Sequence, residues 1–117
     1  MNICPTRDTL FLAAPGFHVD GQGPFYCGDG IAIEGVLALY PQVLAWLDVQ
    51  RIAFERPRSA VVALLGEAHQ SLPVLVLAGD SDTHGVAFTL HGRLRFNDQP
   101  DAIRRYLSAR GGLPSQR

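Results

Sequence analysis

The chain of 117 residues contains no lysine, only two cysteines and no basic block of five or six residues. The absence of lysine excludes Schiff-base catalysis and a Walker-type phosphate loop. A formal net charge of −1 without a basic run argues against a nucleic-acid-binding surface. No apolar run approaches the roughly 20 residues of a membrane span, and the first eight residues lack the pattern of a signal peptide. We therefore expect a cytoplasmic protein that binds neither nucleic acid nor membrane.

The composition is that of one folded domain. Hydrophobic residues make up 47% of the chain and aromatic residues 9%, which excludes a disordered protein. The length allows a core without disulfides or metals. No repeat, linker or low-complexity segment divides the sequence. We predict a single domain over residues 1–117 with its core at about residues 9–110.

A cysteine stands where a helix is expected to begin. Cys27 is followed by Gly28-Asp29-Gly30 and then by an apolar run to Leu39, which predicts a helix that starts near Asp29, with Asp29 as its cap. The unsatisfied N–H groups and the dipole at a helix start stabilise an anion such as a thiolate. Cys27 is therefore a candidate nucleophile, and an ordinary buried cysteine is the alternative.

Hydrophobic patterning and turn residues predict an α/β order of elements. In chain order we predict a strand at 9–14, a loop at 17–24, the helix at 29–39, further helical turns at 42–47, a strand at 49–54, a helix at 56–65 with Pro57 in its first turn, strands at 72–78, 86–90 and 93–96, and a helix capped by Asn97-Asp98 and closed by Gly111-Gly112. The residues expected in the core include Val43, Leu44, Leu47, Ile103, Tyr106 and Leu107.

Two motifs connect this order to a known fold. Tyr26-Cys27-Gly28-Asp29-Gly30 before the first helix and Ser71-Leu72-Pro73-Val74 before the third strand resemble the thioredoxin-like fold, in its glutaredoxin and glutathione S-transferase N-terminal branch. The resemblance spans about residues 9–110. It implies a three-layer α/β fold of order β-α-β-α-β-β-α, with a central mixed sheet flanked by helices, and a cis Leu72–Pro73 bond facing Cys27. The chain is also similar to members of an uncharacterised bacterial protein family of this architecture, which says little about function.

The resemblance also implies a cleft for glutathione or another thiol. Arg56 and Arg58 stand where glutaredoxin-like proteins hold the glycyl carboxylate, and Asn97-Asp98 replaces the Glu-Ser pair that receives the γ-glutamyl end in glutathione transferases. The backbone of Leu72 would pair with the cysteinyl part. The expected catalytic residue is Cys27, and the expected ligand-binding residues are Tyr26, Arg56, Arg58, Leu72, Pro73, Asn97 and Asp98.

The sequence departs from the redox motif Cys-x-x-Cys, because Gly30 occupies the position of the second cysteine. A dithiol mechanism within the motif is therefore excluded. A monothiol oxidoreductase remains, with glutathione as co-substrate or a protein thiol as partner and with no resident cofactor. The alternative is a non-catalytic interaction module that keeps the fold and lacks redox activity. The sequence alone does not distinguish an enzyme from an interaction module, and it does not give the oligomeric state.

Other candidate residues carry weaker signals. Cys4 could serve as a resolving partner for Cys27 or be an N-terminal bystander. His18 and His69 could flank Cys27 as a thiol-activating base or be polar loop residues. A polar segment offers metal-ligand residue types at spacings that match no metal motif, so no metal site is predicted. Its residues are Asp80, Asp82, His84 and His91.

Overall fold

The computed structural model describes residues 4–117 and builds them around one mixed sheet. The strands are β1 (Asp8–Ala13), β2 (Phe17–Val19), β3 (Gln22–Phe25), β4 (Leu47–Ile52), β5 (Val74–Val76), β6 (Thr89–His91) and β7 (Leu94–Asn97). The α-helices are α1 (Ile31–Leu39), α2 (Ser59–Leu65) and α3 (Pro100–Gly111). Short 3₁₀ helices cover Gly28–Gly30 and Pro41–Ala45.

The five-stranded sheet has the order β4-β1-β5-β7-β6. β1 and β4 are parallel, and the other neighbours are antiparallel. The two parallel strands are joined through α1, as a crossover connection requires. The predicted mixed α/β class, with a mixed sheet flanked by helices, is confirmed.

Alternating side chains of the central strands enter two separate cores, one on each face of the sheet. Leu10 and Leu12 of β1 pack with α1 and α3, while Phe11 packs with α2 on the opposite face. The same alternation holds in β5, where Leu75 joins the first core and Val74 the second. A strand buried on both faces reads as a continuous apolar run, which is why β1 and β5 were recognisable in the sequence.

The predicted loop at 17–24 is wrong, because this segment forms the β2–β3 hairpin. Asp20 and Gly21 connect the two strands with φ of 52° and 74°, as a two-residue hairpin turn requires. Phe17 fixes the hairpin to the domain by stacking on Phe54 with ring centroids 3.9 Å apart. The Asp-Gly pair is a hairpin signal, and it was obscured by the polar, glycine-rich composition around it.

The predicted helix starts lie too early in the sequence. Asp29 lies inside the first 3₁₀ turn and caps nothing with its side chain, and α1 begins at Ile31. Pro57 precedes α2, whose N-cap is Arg58. The N-cap of α3 is Gln99 rather than the Asn97-Asp98 pair.

The other boundaries also shift. The strand predicted at 49–54 is Leu47–Ile52, that at 72–78 keeps ladder bonds only over Val74–Val76, and that at 86–90 starts at Thr89. Leu44 is 49% exposed rather than buried. Its segment is a 3₁₀ helix with three residues per turn, which points Val43 inward and Leu44 outward. The three residues predicted to be the buried stripe of α3 are buried: Ile103, Tyr106 and Leu107.

A buried carboxylate ties the start of β1 to α3 and to the segment after β5. Asp8 is 1% exposed. Its Oδ1 accepts hydrogen bonds from the backbone N–H of Ala78 at 2.8 Å and from Oγ of Ser81 at 2.6 Å. Its Oδ2 accepts from the Tyr106 hydroxyl and from Arg110. Both oxygens of this carboxylate therefore have protein partners.

This network predicts a loss of stability in alkali. Burial, followed by the hydrogen bond to Asp8, raises the pKa of Tyr106 from 10.0 to about 12. The folded protein therefore holds the phenol proton more tightly than the unfolded chain. The stabilisation is complete below pH 10 and is lost as the pH rises through about 12. At about 1.36 kcal/mol per pH unit, the free energy of unfolding should fall by about 2.7 kcal/mol over this window.

Denaturant unfolding at a series of alkaline pH values measures this loss. The chain has no lysine, so no lysine ammonium group titrates in the same window. Tyr106→Phe should abolish most of the decline, whereas Tyr26→Phe, at a tyrosine that is 64% exposed, should leave it in place. An equal decline in the wild type and in Tyr106→Phe would contradict the assignment.

Candidate functional site

The topology brings the predicted site segments to one edge of the sheet. β1 and β4 run in parallel and end there, and their ends connect through the bond from Ala14 N–H to the Ile52 carbonyl at 2.7 Å. β5 is antiparallel to β1, with Phe11 opposite Val74, so β5 begins at this edge. β7 is antiparallel to β5 and ends there. We call this edge the Cys27 edge, because the segment from β3 to α1 also reaches it.

Cys27 lies at the junction between the hairpin and the first helix. It is the N-cap of the Gly28–Gly30 turn, with an extended backbone of φ −79° and ψ 115°. Its carbonyl accepts a hydrogen bond from the Gly30 N–H at 3.2 Å, and its thiol is free and partly buried. Gly30 is buried against Leu12 of β1, whose Cδ2 would lie 3.6 Å from an added Cβ. The helix start therefore packs closely on β1, and Cys27 lies at its entrance.

A cavity of about 210 Å³ opens beside the thiol. It is mostly apolar, and the single charged residue among the described residues that line it is Glu34. That carboxylate accepts from Nε and Nη2 of Arg51 at 2.9 and 2.6 Å, so its charge is balanced. The volume is below the roughly 300–1,000 Å³ of drug-sized pockets and is suited to a small side chain or to part of a thiol-containing molecule. The lining residues are Leu12, Ala13, Pro15, Tyr26, Cys27, Gly30, Ile31 and Glu34.

Arg58 is a buried arginine near this thiol. It is 6% exposed, and it donates from Nε to the Phe54 carbonyl at 2.8 Å and from Nη1 to the Gln70 carbonyl at 2.6 Å. Burial lowers the pKa of Arg58, and the neighbouring Arg56 lowers it further, while the negative charge of a Cys27 thiolate raises it. The guanidinium therefore lies within electrostatic reach of Cys27. It also holds α2 to the segments on either side.

Arg56 and the Asn97-Asp98 pair differ from Arg58 in their contacts. Arg56 is exposed. Asn97 donates from Nδ2 to the Ala87 carbonyl at 2.7 Å and accepts from the Gln99 N–H at 2.8 Å. Asp98 accepts from Nε2 of Gln99 at 3.0 Å. Both members of the pair are at the Cys27 edge, and their polar groups bond to their own part of the chain.

The proline before β5 has the predicted geometry. The Leu72–Pro73 bond is cis, which confirms that prediction. Pro73 is buried, and Leu72 packs against the core on the α2 face. The bonds before Pro24 and Pro57 are also cis, and no signal in the sequence indicated them.

Cys4 lies at the opposite edge of the sheet, which rules out the resolving role considered for it and leaves the alternative of a bystander. It packs beside Gly79, which follows β5, and its thiol is 3.9 Å from the Arg93 carbonyl, which precedes β7. β1 lies between the two cysteines, and its six residues span about 17–20 Å. A disulfide needs Cα atoms within about 7 Å of each other.

The histidines considered for the site have other neighbours. His69 packs on Phe96 with ring centroids 4.9 Å apart and lies near His91, and His18 is exposed on the hairpin. His84 follows an Asp82 turn, in which Asp82 accepts from the His84 N–H at 2.7 Å. Within residues 4–117, no three His, Cys, Asp or Glu side chains form a group that could hold a metal ion.

The sequence missed the buried Asp8 network, because an aspartate before a strand reads as an ordinary loop residue. The one signal in the sequence was that no turn residue separates Asp8 from the apolar strand that follows it. The network lies at the edge opposite Cys27, since Asp8 begins β1.

No helix in the part of the chain that the structure describes is both long and apolar enough to cross a membrane.

Comparison with known proteins identifies a family. The family model described as "Protein of unknown function (DUF3088)" matches residues 7–115, so the chain belongs to this family. This confirms the expected similarity to an uncharacterised protein family. No curated protein and no solved structure matches the chain.

Proposed function

We propose that this member of the DUF3088 family is a thioredoxin-like protein whose Cys27 performs monothiol exchange with glutathione or a protein thiol. The observation that carries the proposal is the environment of Cys27. The thiol is partly exposed at the entrance of a helix, it lies on a small cavity that could hold part of a substrate, and the cation of Arg58 is nearby. Reactive cysteines are found at partly exposed helix N-termini and near cations.

The strand order supports the thioredoxin-like part of the proposal. Along the chain, β1, α1, β4, α2, β5, β6, β7 and α3 follow the order β-α-β-α-β-β-α that the resemblance implies, once the β2–β3 hairpin is treated as an insertion, and the sheet is mixed. The cis Leu72–Pro73 bond precedes the antiparallel strand next to β1, as that resemblance requires. The segments that carry the ligand-binding candidates all reach the Cys27 edge.

The proposed reaction needs a single cysteine. The Cys27 thiolate attacks one sulfur of a disulfide; a new S–S bond forms at Cys27, the original S–S bond breaks, and the other sulfur leaves and takes up the proton. A second thiol then attacks the mixed disulfide, forms a disulfide with the bound group and returns Cys27 to the thiol. Electrons balance within these two exchanges, and Gly30 excludes the internal dithiol route.

Alkylation and mixed-disulfide formation test the proposal. In a Cys4→Ser background, we expect iodoacetamide to modify Cys27 faster than a free model thiol at neutral pH and glutathione disulfide to form one adduct, measured by intact mass. Reduced glutathione should then remove the adduct. Cys27→Ser should lose both reactions completely, while Cys4→Ser alone keeps them.

The opposite results would refute the exchange activity. A Cys27 thiol that reacts no faster than the model thiol and forms no adduct with glutathione disulfide leaves the interaction module as the function. One observation favours that second candidate, because the hairpin, the segment after it and the helix start expose the apolar side chains of Val19, Phe25, Tyr26 and Ile31. Tyr26 and Ile31 also line the cavity. A module should bind its partner equally well after Cys27→Ser and lose binding after Phe25→Ser.

A further inference from the structure

A second groove lies between α1, α3 and the C-terminal segment 114–117. Its volume is about 670 Å³, within the range of small-molecule sites. The residues of α1 that line it differ from those that line the Cys27 cavity, so the two spaces open on different sides of α1. The C-terminal segment forms part of the wall, and Ser108 of α3 holds it by donating to the Pro114 carbonyl at 3.0 Å.

One wall of the groove is apolar. Ala32, Val36 and Leu39 lie on one stripe of α1, and Leu39 is 74% exposed. Gly35 lies beside them, and an added Cβ there would meet nothing within 4 Å. At a rise of about 1.5 Å per residue, the nine residues of α1 give a wall about 13 Å long. The wall therefore exposes apolar surface along a short path.

The facing wall is cationic. It contains Arg104, Arg105 and Arg117, with Asp101 as the single acidic side chain among the described residues that line the groove. Asp101 pairs with Nη2 of Arg104. The guanidinium groups on this wall outnumber its carboxylates, so the wall carries a net positive charge. A net positive wall opposite an apolar one is complementary to an anion that carries an apolar chain.

We propose that the groove binds a small amphipathic carboxylate of the medium-chain fatty-acid class. The carboxylate pairs with Arg104 and Arg105, and the alkyl chain lies along Ala32, Val36 and Leu39. Guanidinium groups match the planar carboxylate in a bidentate geometry. The short apolar wall and the closure by residues 114–117 favour a small molecule over a partner helix.

Titration calorimetry with decanoate tests this site in the full chain. We expect saturable binding at one site, and a loss of at least about tenfold in affinity in Arg104→Gln, as for removal of a charge-assisted hydrogen bond. Gly35→Leu should fill the groove and weaken binding by a similar factor. Because this change replaces a helical glycine and meets open space, the variant should unfold at a temperature no lower than the wild type.

Two control variants distinguish this groove from nonspecific charge and from the Cys27 site. Arg93→Gln changes an exposed arginine outside the groove and should leave decanoate binding unchanged. Cys27→Ser should also bind decanoate normally, since the site does not depend on the proposed thiol activity. The proposal would be overturned if the protein bound decanol as tightly as decanoate, or if it did not bind decanoate at all. It would also be overturned if a folded Gly35→Leu variant bound decanoate as tightly as the wild type. Binding of an acidic amphipathic peptide by a protein that ignores decanoate would also overturn it.

Discussion

Replacing Asp8 with alanine is expected to lower the free energy of unfolding by about 3–5 kcal/mol, as for other buried ion pairs broken from one side. The change removes the carboxylate that accepts from Tyr106 and Arg110. It also leaves the backbone N–H of Ala78 and the hydroxyl of Ser81 without their acceptor. Since small domains are stable by only about 5–15 kcal/mol, the variant should unfold at a much lower denaturant concentration.

Asp48→Ala is the matched control for this prediction. Asp48 forms an ion pair with Arg7 at 3.1 Å, but the two side chains are 46% and 41% exposed. Exposed pairs contribute about 0–1 kcal/mol. Guanidinium chloride unfolding of both variants gives the comparison. If Asp8→Ala costs no more than Asp48→Ala, the buried network does not anchor α3 to β1.

Arg58→Ala is expected to lower both stability and the reactivity of the Cys27 thiol. The change leaves the carbonyls of Phe54 and Gln70 without their donors, with an expected cost of about 3 kcal/mol. Under the proposed function it also removes a cation near the reacting thiol, so the alkylation rate at neutral pH should fall. Denaturant unfolding and iodoacetamide labelling measure the two effects on the same protein.

Two variants separate the structural effect from the electrostatic one. Arg58→Lys keeps the charge and loses the planar fork, so it should be destabilised while retaining more of the Cys27 alkylation rate than Arg58→Ala. Arg56→Ala removes an exposed arginine two residues away and should change stability by no more than about 0.5 kcal/mol. Equal alkylation rates in the wild type and in Arg58→Ala would show that Arg58 is only a structural residue.

The element boundaries show where local patterning was insufficient. Asp29 and Pro57 are good local signals for a helix start, yet α1 and α2 begin two residues later. At the start of α1, the buried Gly30 packs on Leu12, which joins residues far apart in the chain. The start of α2 coincides with the buried Arg58, whose carbonyl partners lie before and after the helix. Tertiary contacts of this kind leave no local trace in the sequence.

The candidate site also combines features that the sequence indicated with features that only the structure shows. The sequence located Cys27 at a helix entrance through its local pattern, and the resemblance to a known fold implied the cis bond before Pro73. The sequence assigned Arg58 and Arg56 the same role as ligand-binding residues, whereas in the structure the guanidinium of Arg58 is buried. It also considered Cys4 as a partner for Cys27, although β1 lies between them.

The sequence by itself determined the α/β class, the buried strands β1 and β5, the single cysteine of the motif and the buried face of α3. These follow from residue type and short-range periodicity. Only the tertiary structure decided that Arg58 is buried, that Asp8 anchors α3, and that α1 exposes an apolar wall opposite Arg104. Each depends on the register of strands and the packing of helices, which bring together residues that are distant in the chain.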